Sequence, residues 1–323
     1  MQVSVIVPTR NRRELLPITL CSALRQRGVD LEILIIDDGS DDDTAAVSDA
    51  LADDRLRVIR LDKPSGVSAA RNHGVAAARG EWLAFLDDDD LWAPAKLVRQ
   101  LAAVHESGRD WAYTGGVVFL GDRIVRAQVP LPPDAMVKML LRYNAIPGGG
   151  STVILRRALW PHIGPFDTQL RIGEDWEMWI RLAKHGMPAW VCAPLVAKRL
   201  HATNATLDTS EIINGTRYIE RLHGIDADWG ILHQWMGHLS LQVGHRRAAL
   251  RHFISAVAHG EVRSGIGDAV GVIRQALGFE FRTMTHQGSD GRDGWIAESE
   301  PWLREFLSDG RCGAAGNPRT LTS

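Results

Sequence analysis

The amino-acid sequence predicts an α/β protein, with a mixed, mostly parallel sheet flanked by helices and an α-helical carboxyl-terminal extension. Three observations predict it. Short β-branched runs alternate with helical patterns from residue 3 to about residue 107, as in a parallel sheet covered on both faces. Polar or acidic groups close three of those runs, at Thr9 to Asn11, Asp37 to Asp38 and Asp87 to Asp90. From about Asp208 onward the pattern becomes helix after helix.

The elements follow in order. "VSVIVP" (Val3 to Pro8) reads as a buried strand, and Leu15, Leu16, Leu20 and Leu24 after it have helical spacing. "LEILIIDD" is a second strand, and "GSDDDTAAVSDALA" gives a turn, an acidic helix start and an alanine-rich helix. "LRVIRL", "GVSAARNHGVAAA" and "EWLAFL" continue as strand, helix and strand, and "APAKLVRQLAAVHES" is a helix. "WAYTGGVVFLGDRIVRAQ" reads as a β-hairpin turning near Gly121 and Asp122, followed by a helix in "PDAMVKMLLRYN". "IPGGGSTVILRRALW" is a glycine loop entering a strand, and "GEDWEMWIRLAKHG" is an amphipathic helix closed by Gly186 and Pro188. Trp229 to Glu261 carries apolar residues at helical spacing around a break at Gly244. It suggests a tetratricopeptide-like helix pair, although one copy does not make a repeat. The expected organisation is one domain over 1–207, a helical extension over 208–310 and a disordered tail over 311–323.

Composition narrows the function. Of 323 residues 45% are hydrophobic and 24% charged, enough for a substantial core. A formal net charge of -2 provides no basic field for nucleic acid or anionic lipid. The amino terminus is apolar for about six residues only, and no run of about eighteen apolar residues occurs. A cytoplasmic protein is therefore expected, reaching the inner face of the membrane where a product is lipid-linked. Cys21, Cys192 and Cys312 are far apart and form no metal-ligand pair, so free thiols are expected.

The chemistry lies in the carboxylates. Asp37, Asp38 and Asp87 to Asp90 all end strands of one sheet, at the edge where ligands of such sheets bind. Clustered carboxylates repel unless a hard divalent cation sits among them, which takes oxygen ligands and keeps open positions for water or phosphate. Alternation in an extended chain lets Asp87 and Asp89 share a face. Asp90 is read as a cap for the helix near Pro94, and Asp88 is left between the metal side and a contact with a backbone amide or an arginine. A diphosphate would complete the coordination, with amides of "PTRN" and "DDGSDDD" and Arg71 holding the rest of a nucleotide. The other reading of Arg71 is a surface ion pair. Neither "GxxxxGK[ST]" nor a "GxGxxG" after the first strand occurs, which disfavours the usual nucleotide-triphosphatase and dinucleotide folds.

Over residues 2 to 207 the chain resembles glycosyltransferase family 2, inverting enzymes of the GT-A fold that use nucleotide-diphosphate sugars. The resemblance rests on "VSVIVPTRNR", "ILIIDDGSDDDT", "GVSAARNHGVAAARGEWLAFLDDDDLWAPAKLVRQ", "GGGSTVILRRALW", "GPFDTQLRIGEDWEMWIRLAKHG" and "PLVAKRLHATNAT". It implies that Pro8, Thr9, Arg10 and Asp38 contact base and ribose, with Arg71 near the nucleotide. Asp87 to Asp89 match the DXD element: Asp89 as principal ligand of Mn²⁺ or Mg²⁺, Asp87 and Asp88 at ribose or water. Asp175 matches the general base, with Glu174 as fallback. His201 resembles a histidine that reaches metal or diphosphate in some relatives, and a packed or surface histidine is the alternative.

The implied reaction is a single displacement onto a glycan, lipid-linked or other acceptor hydroxyl, as in polysaccharide biosynthesis. Trp92, Trp176 and Trp179 are candidates for the acceptor side, although core packing suits Trp179 better. Gly148 to Gly150 either let the backbone approach the sugar or form a mobile loop. Two alternatives stand beside this reading. A nucleotidyltransferase shares the sheet but usually carries a glycine-rich loop after the first strand, which "PTRNRREL" lacks. A noncatalytic nucleotide sensor would bind a protein partner through the helical extension, and Asp38, Asp89 and Asp175 argue against it.

Overall fold

The computed structural model of the chain describes residues 2–201, 208–242, 244–261 and 289–309. The first strands form where the β-branched runs lie: β1 (Val3–Thr9), β2 (Leu31–Asp37), β3 (Leu56–Arg60) and β4 (Trp82–Phe85). All are parallel, in the spatial order β3-β2-β1-β4. Three helices, α1 (Leu16–Leu24), α2 (Ala46–Leu51) and α3 (Val67–Ala77), make the crossovers. β5 (Leu91–Trp92) and α4 (Lys96–Ser107) follow, then the hairpin of β6 (Trp111–Leu120) and β7 (Arg123–Gln128), turning through Gly121 at φ 62°.

After α5 (Pro133–Leu140), β8 (Val153–Arg156) runs antiparallel between β4 and β6. A short α6 (Trp160–Ile163) leads to α7 (Glu174–His185) and then to β9 (Ala189–Arg199), which pairs with β6 in parallel and with β5 antiparallel. The sheet is thus mixed and mostly parallel on its amino-terminal side, as expected. Neither β5 nor β9 was expected, and β9, at 11 residues, is the longest strand described.

Strand alternation divides the core. Val3, Val5, Val7, Ile33, Ile35, Trp82 and Ala84 face α1 and α4, whereas Ile6, Leu34, Ile36, Leu83 and Phe85 face α3, α5 and α7. Both faces are dry, which explains why the strands read as unbroken apolar runs. The β1–β2 register pairs Thr9 with Asp37, and β1–β4 pairs Ile6 with Phe85, so Thr9, Asp38 and Asp87 leave along one edge.

At the opposite end of β1, Ser4 and Glu32 are buried and bonded at 2.6 Å. The second Glu32 oxygen accepts from Arg57 at 2.8 Å, and the backbone N–H of Arg79 donates to the first at 2.7 Å. Burial alone would raise the Glu32 pKa, but Ser4, the Arg79 amide and Arg57 together hold it below the ordinary range.

The helical extension begins with α8 (Thr209–His223), capped by Asp208, and continues as α9 (Trp229–Gln242) and α10 (Arg246–Ala258) around the break at Gly244. α9 and α10 pack closely, and a side chain on Gly237 would overlap the Phe253 ring. α11 (Ser289–Asp309) instead returns to the sheet, where Leu303 and Phe306 cover Leu91, Val117, Phe119 and Ala197. The Trp295 ring occupies the space a Gly115 side chain would fill. The tail expected over 311–323 lies outside the described residues. Cys192 is free and exposed, but Cys21, buried on α1, is disulfide-bonded. That corrects the expectation of free thiols, because separation in sequence does not measure separation in space. Among the described residues no helix is long and apolar enough to cross a membrane.

Because the Glu32 carboxyl is held below its free pKa, its stabilisation is complete above the free value and is lost as pH falls through the native one. Glu32→Gln is expected to cost about 1–3 kcal/mol at pH 7, leaving Arg57 and the Arg79 amide short of an acceptor. It should also flatten the fall of the urea midpoint below about pH 4. Equal midpoints for both proteins at pH 7 would refute the assignment.

Candidate active site

The strand-end residues surround a cavity of about 800 Å³, lined by Pro8, Thr9, Arg10, Asp38, Arg71 and Asp87 to Asp89, with Asp175 across it. Asp38 accepts from the backbone N–H groups of Ser65 (2.7 Å) and Gly66 (2.8 Å). Gly66, at φ 90°, opens α3, so Asp38 fixes the start of the helix that carries Arg71.

Arg71 is buried rather than a surface ion pair. Its two Nη atoms donate to Asp87 Oδ1 and Glu174 Oε1, both at 2.7 Å, and its guanidinium lies 5.2 Å from the centre of the Phe166 ring. Burial opposes its charge, but Asp87 and Glu174 more than offset this and raise its pKa. Glu174 is raised despite Arg71, because burial outweighs the pairing.

The four aspartates have four environments. Asp87 faces Arg71, and its N–H donates to Ser151 Oγ at 3.1 Å. Asp88 lies 3.5 Å from Arg12 Nε, and its backbone carbonyl accepts from Thr19 Oγ1 at 3.0 Å. Burial, aided by Asp89, pushes the Asp88 carboxyl up to about 7. Asp89 Oδ2 meets His201 Nε2 at 2.7 Å. Burial would raise Asp89, but the His201 hydrogen bond and the Lys198 charge bring it below the usual range.

Asp90 does not cap a helix, since α4 begins six residues later behind Ala95. It is wholly buried, accepts from Ser151 Oγ (2.7 Å) and the Arg199 N–H (3.3 Å), and is raised well above the usual range by burial and Asp89. The reason is β5: a short strand rather than a helix follows the aspartates and turns Asp90 inward.

Asp175 stands in the first turn of α7 behind Gly173, at φ 88°. Its Oδ2 accepts from Asn144 Nδ2 at 3.1 Å. Gly149, at φ 63°, faces the same oxygen, and a Cβ there would lie 3.1 Å from it. Gly149 therefore allows a close approach of backbone to carboxylate, whereas a side chain on Gly148 would meet Thr152. Lys198 reaches the cavity from β9 amid Asp90, Asp87, Asp89 and Asp175, which raise its pKa although burial opposes the charge. Sequence reading missed Asn144, which sits in no recognised pattern, and Lys198, which lies in the family-like run "PLVAKRLHATNAT" but was given no role because β9 was unforeseen. Trp92 and Trp179 are fully buried core residues, which corrects the placement of Trp92 beside an acceptor and agrees with core packing for Trp179. Trp176 touches the cavity and donates from Nε1 to the Leu140 carbonyl at 2.7 Å.

The donor set suits a divalent cation. A carboxylate oxygen and an imidazole nitrogen meet at Asp89 and His201, beside Asp87, and Mn²⁺ accepts both kinds of ligand. Among the described residues no group of three or more histidine, cysteine or acidic side chains would cage an ion.

Comparison with known proteins identifies the family and the fold. The model of "Glycosyl transferase family 2" matches residues 4–161. The putative teichuronic acid biosynthesis glycosyltransferase TuaG of Bacillus subtilis is 30% identical, over 70% of this chain and 92% of that protein. The Escherichia coli UDP-Glc:alpha-D-GlcNAc-diphosphoundecaprenol beta-1,3-glucosyltransferase WfaP is 30% identical, over 58% of this chain and 72% of that protein. Across curated relatives the match spans from 53% of one protein's length to 92% of another's. Among solved structures, the Pyrobaculum calidifontis mannosyltransferase in complex with GDP-Man and Mn²⁺ shares the fold, with a TM-score of 0.55, 17% identity and coverage of 96% of this chain and 86% of that one.

Removing Arg71 leaves a buried Glu174 and a partly buried Asp87 uncompensated. Arg71→Met is expected to destabilise the chain by about 3–5 kcal/mol, read from denaturant midpoints. Arg71→Met/Glu174→Gln should recover part of that loss. No recovery would mean that packing, not charge, makes Arg71 necessary.

Proposed function

Because the chain belongs to glycosyltransferase family 2, we propose that it moves a sugar from a nucleotide-diphosphate donor to an acceptor hydroxyl with inversion at the anomeric carbon. Surface polysaccharide or related glycan assembly is the setting that the relatives' names support. One observation carries the assignment of roles. Of two adjacent carboxylates that both line the cavity, Glu174 is engaged by the Arg71 guanidinium, whereas Asp175 is oriented by the neutral amide of Asn144.

Asp175 is the general base. It takes the proton from the acceptor hydroxyl as that oxygen attacks the anomeric carbon, and Asn144 together with the Gly149 backbone keeps its Oδ2 aimed at the cavity. Pro8, Thr9, Arg10, Asp38, Arg71, Asp87 and Asp88 form the nucleotide side. Asp89 and His201 would hold the cation, Mn²⁺ or Mg²⁺. When bound, it supplies positive charge against the departing nucleotide diphosphate. Lys198 adds a fixed cation on the same side of the cavity. The Mn²⁺ and GDP-Man in the mannosyltransferase neighbour favour a nucleotide-diphosphate donor bound with a divalent cation. The diphosphoundecaprenol acceptor named for the Escherichia coli relative favours a lipid-linked acceptor, which would bring the chain to the inner face of the membrane.

A screen of nucleotide sugars by thermal stabilisation, with and without Mn²⁺, identifies the donor. With that donor, Asp175→Asn is expected to lower transfer by about 10²–10⁴-fold and leave nucleotide binding intact. Asp89→Asn should lose both transfer and the Mn²⁺-dependent part of nucleotide binding. Full activity of the Asp175 variant would sink the general-base assignment.

A further inference from the structure

The cavity does not end at the reacting groups. Beyond Asp175 it continues along a wall supplied by α8 and α9, built from Ile212, Ile219, Ile231, Leu232, Trp235 and Leu239, with Thr216 as its single polar member. The wall joins the reaction centre directly. Ile172, three residues before Asp175, belongs to both the cavity lining and the apolar cluster of α8 and α9. Gly173 lies between them, and a Cβ there would meet Ile219 Cδ1 at 3.3 Å. The donor end is lined by arginines and aspartates, so one cavity carries a charged half and an aliphatic half with the proposed base at their junction.

A nucleotide sugar has no aliphatic surface to place on such a wall, and Trp235 is the one aromatic face among its six apolar members on which a sugar ring could stack. Ile231 and Trp235 are half-buried and the other four are buried, so the wall is the apolar lining of an enclosed cleft, the kind of concave site that takes a ligand. We infer that the α8–α9 wall binds an aliphatic chain carried by the acceptor, holding it so that its hydroxyl lies at Asp175. The ligand class is an amphipathic glycolipid of isoprenoid or acyl type. The inference rests on the reading of Asp175 as the group beside the attacking hydroxyl. It adds that the helical extension contributes the acceptor site.

The test measures equilibrium binding and needs no turnover, so its failure is distinct from failure of the transfer reaction. Methyl, butyl and hexyl β-glucosides, all below micelle formation, are titrated against the full chain while tryptophan fluorescence is followed. Each methylene that enters the wall tightens binding by up to about fourfold, so the hexyl compound is expected to bind at least about tenfold tighter than the methyl one. Trp235→Ser and Ile231→Gln, both at half-buried positions, should abolish the chain-length dependence. Methyl glucoside affinity and thermal stabilisation by UDP and GDP should stay unchanged. Affinity independent of chain length would overturn the inference, as would a chain-length dependence that survives both substitutions. Binding to phosphatidylcholine vesicles, lost in Trp235→Ser without any glucoside chain-length effect, would also overturn it and make the wall a membrane contact.

Discussion

The Arg71 guanidinium holds the site together. It joins Asp87 at the end of β4 to Glu174 at the start of α7, 16 and 103 positions along the chain from Arg71 respectively. Without it two carboxylates would face each other across a dry gap, and neither the aspartate run nor the α7 amino terminus would have a fixed position. A fork of planar donors suits this task better than a lysine, because both carboxylates are met by separate nitrogens of one rigid group. Its own position is set two steps upstream. Asp38 binds the amides that open α3, and α3 packs against β1, so the strand edge determines where the guanidinium lies.

Around that fork the site distributes negative charge unevenly. Asp90 is sequestered with Ser151, and Ser151 in turn accepts from the Asp87 amide, so one hydroxyl ties the inward aspartate to the outward one. Asp88 has Arg12 at 3.5 Å, Asp89 has His201, and Lys198 sits amid the remaining field. Four like charges in sequence thereby become four different groups, and only Asp87 to Asp89 reach the cavity. The repulsion that made the run improbable as a folded core is what makes it receptive to a cation.

Much of this was legible because it is local. Unbroken β-branched runs follow from strands buried on both faces, and the polar residues closing them follow from strand ends meeting at one edge. The hairpin at Gly121 and the acidic start of α7 carry turn and cap chemistry that spacing alone reveals. What escaped depends on long-range pairing. β9 reads as ordinary apolar sequence, and its identity as a strand comes from lying beside β6, so Lys198, although inside the family-like run, gave no sign that it reaches the cavity. β5 is two residues long and exists through β9, which is why Asp90 looked like a helix cap. Asn144 reaches Asp175 only because Trp176 ties α7 to the end of α5. α11 looked like part of an extension, yet Trp295 fits over a glycine of β6.

The four residues Ile172, Gly173, Glu174 and Asp175 show how the two halves of the molecule are coupled. Ile172 packs with the cluster of α8 and α9, Gly173 supplies the left-handed turn that admits Ile219, Glu174 is bound to Arg71, and Asp175 faces the cavity. Each of these neighbours constrains the same short turn from a different side. A helix start carrying a reactive carboxylate is held in one orientation only if such constraints agree, and here the apolar packing of the extension supplies one of them. α8 and α9 are therefore structural support for Asp175, the proposed base, as well as a wall of its cavity.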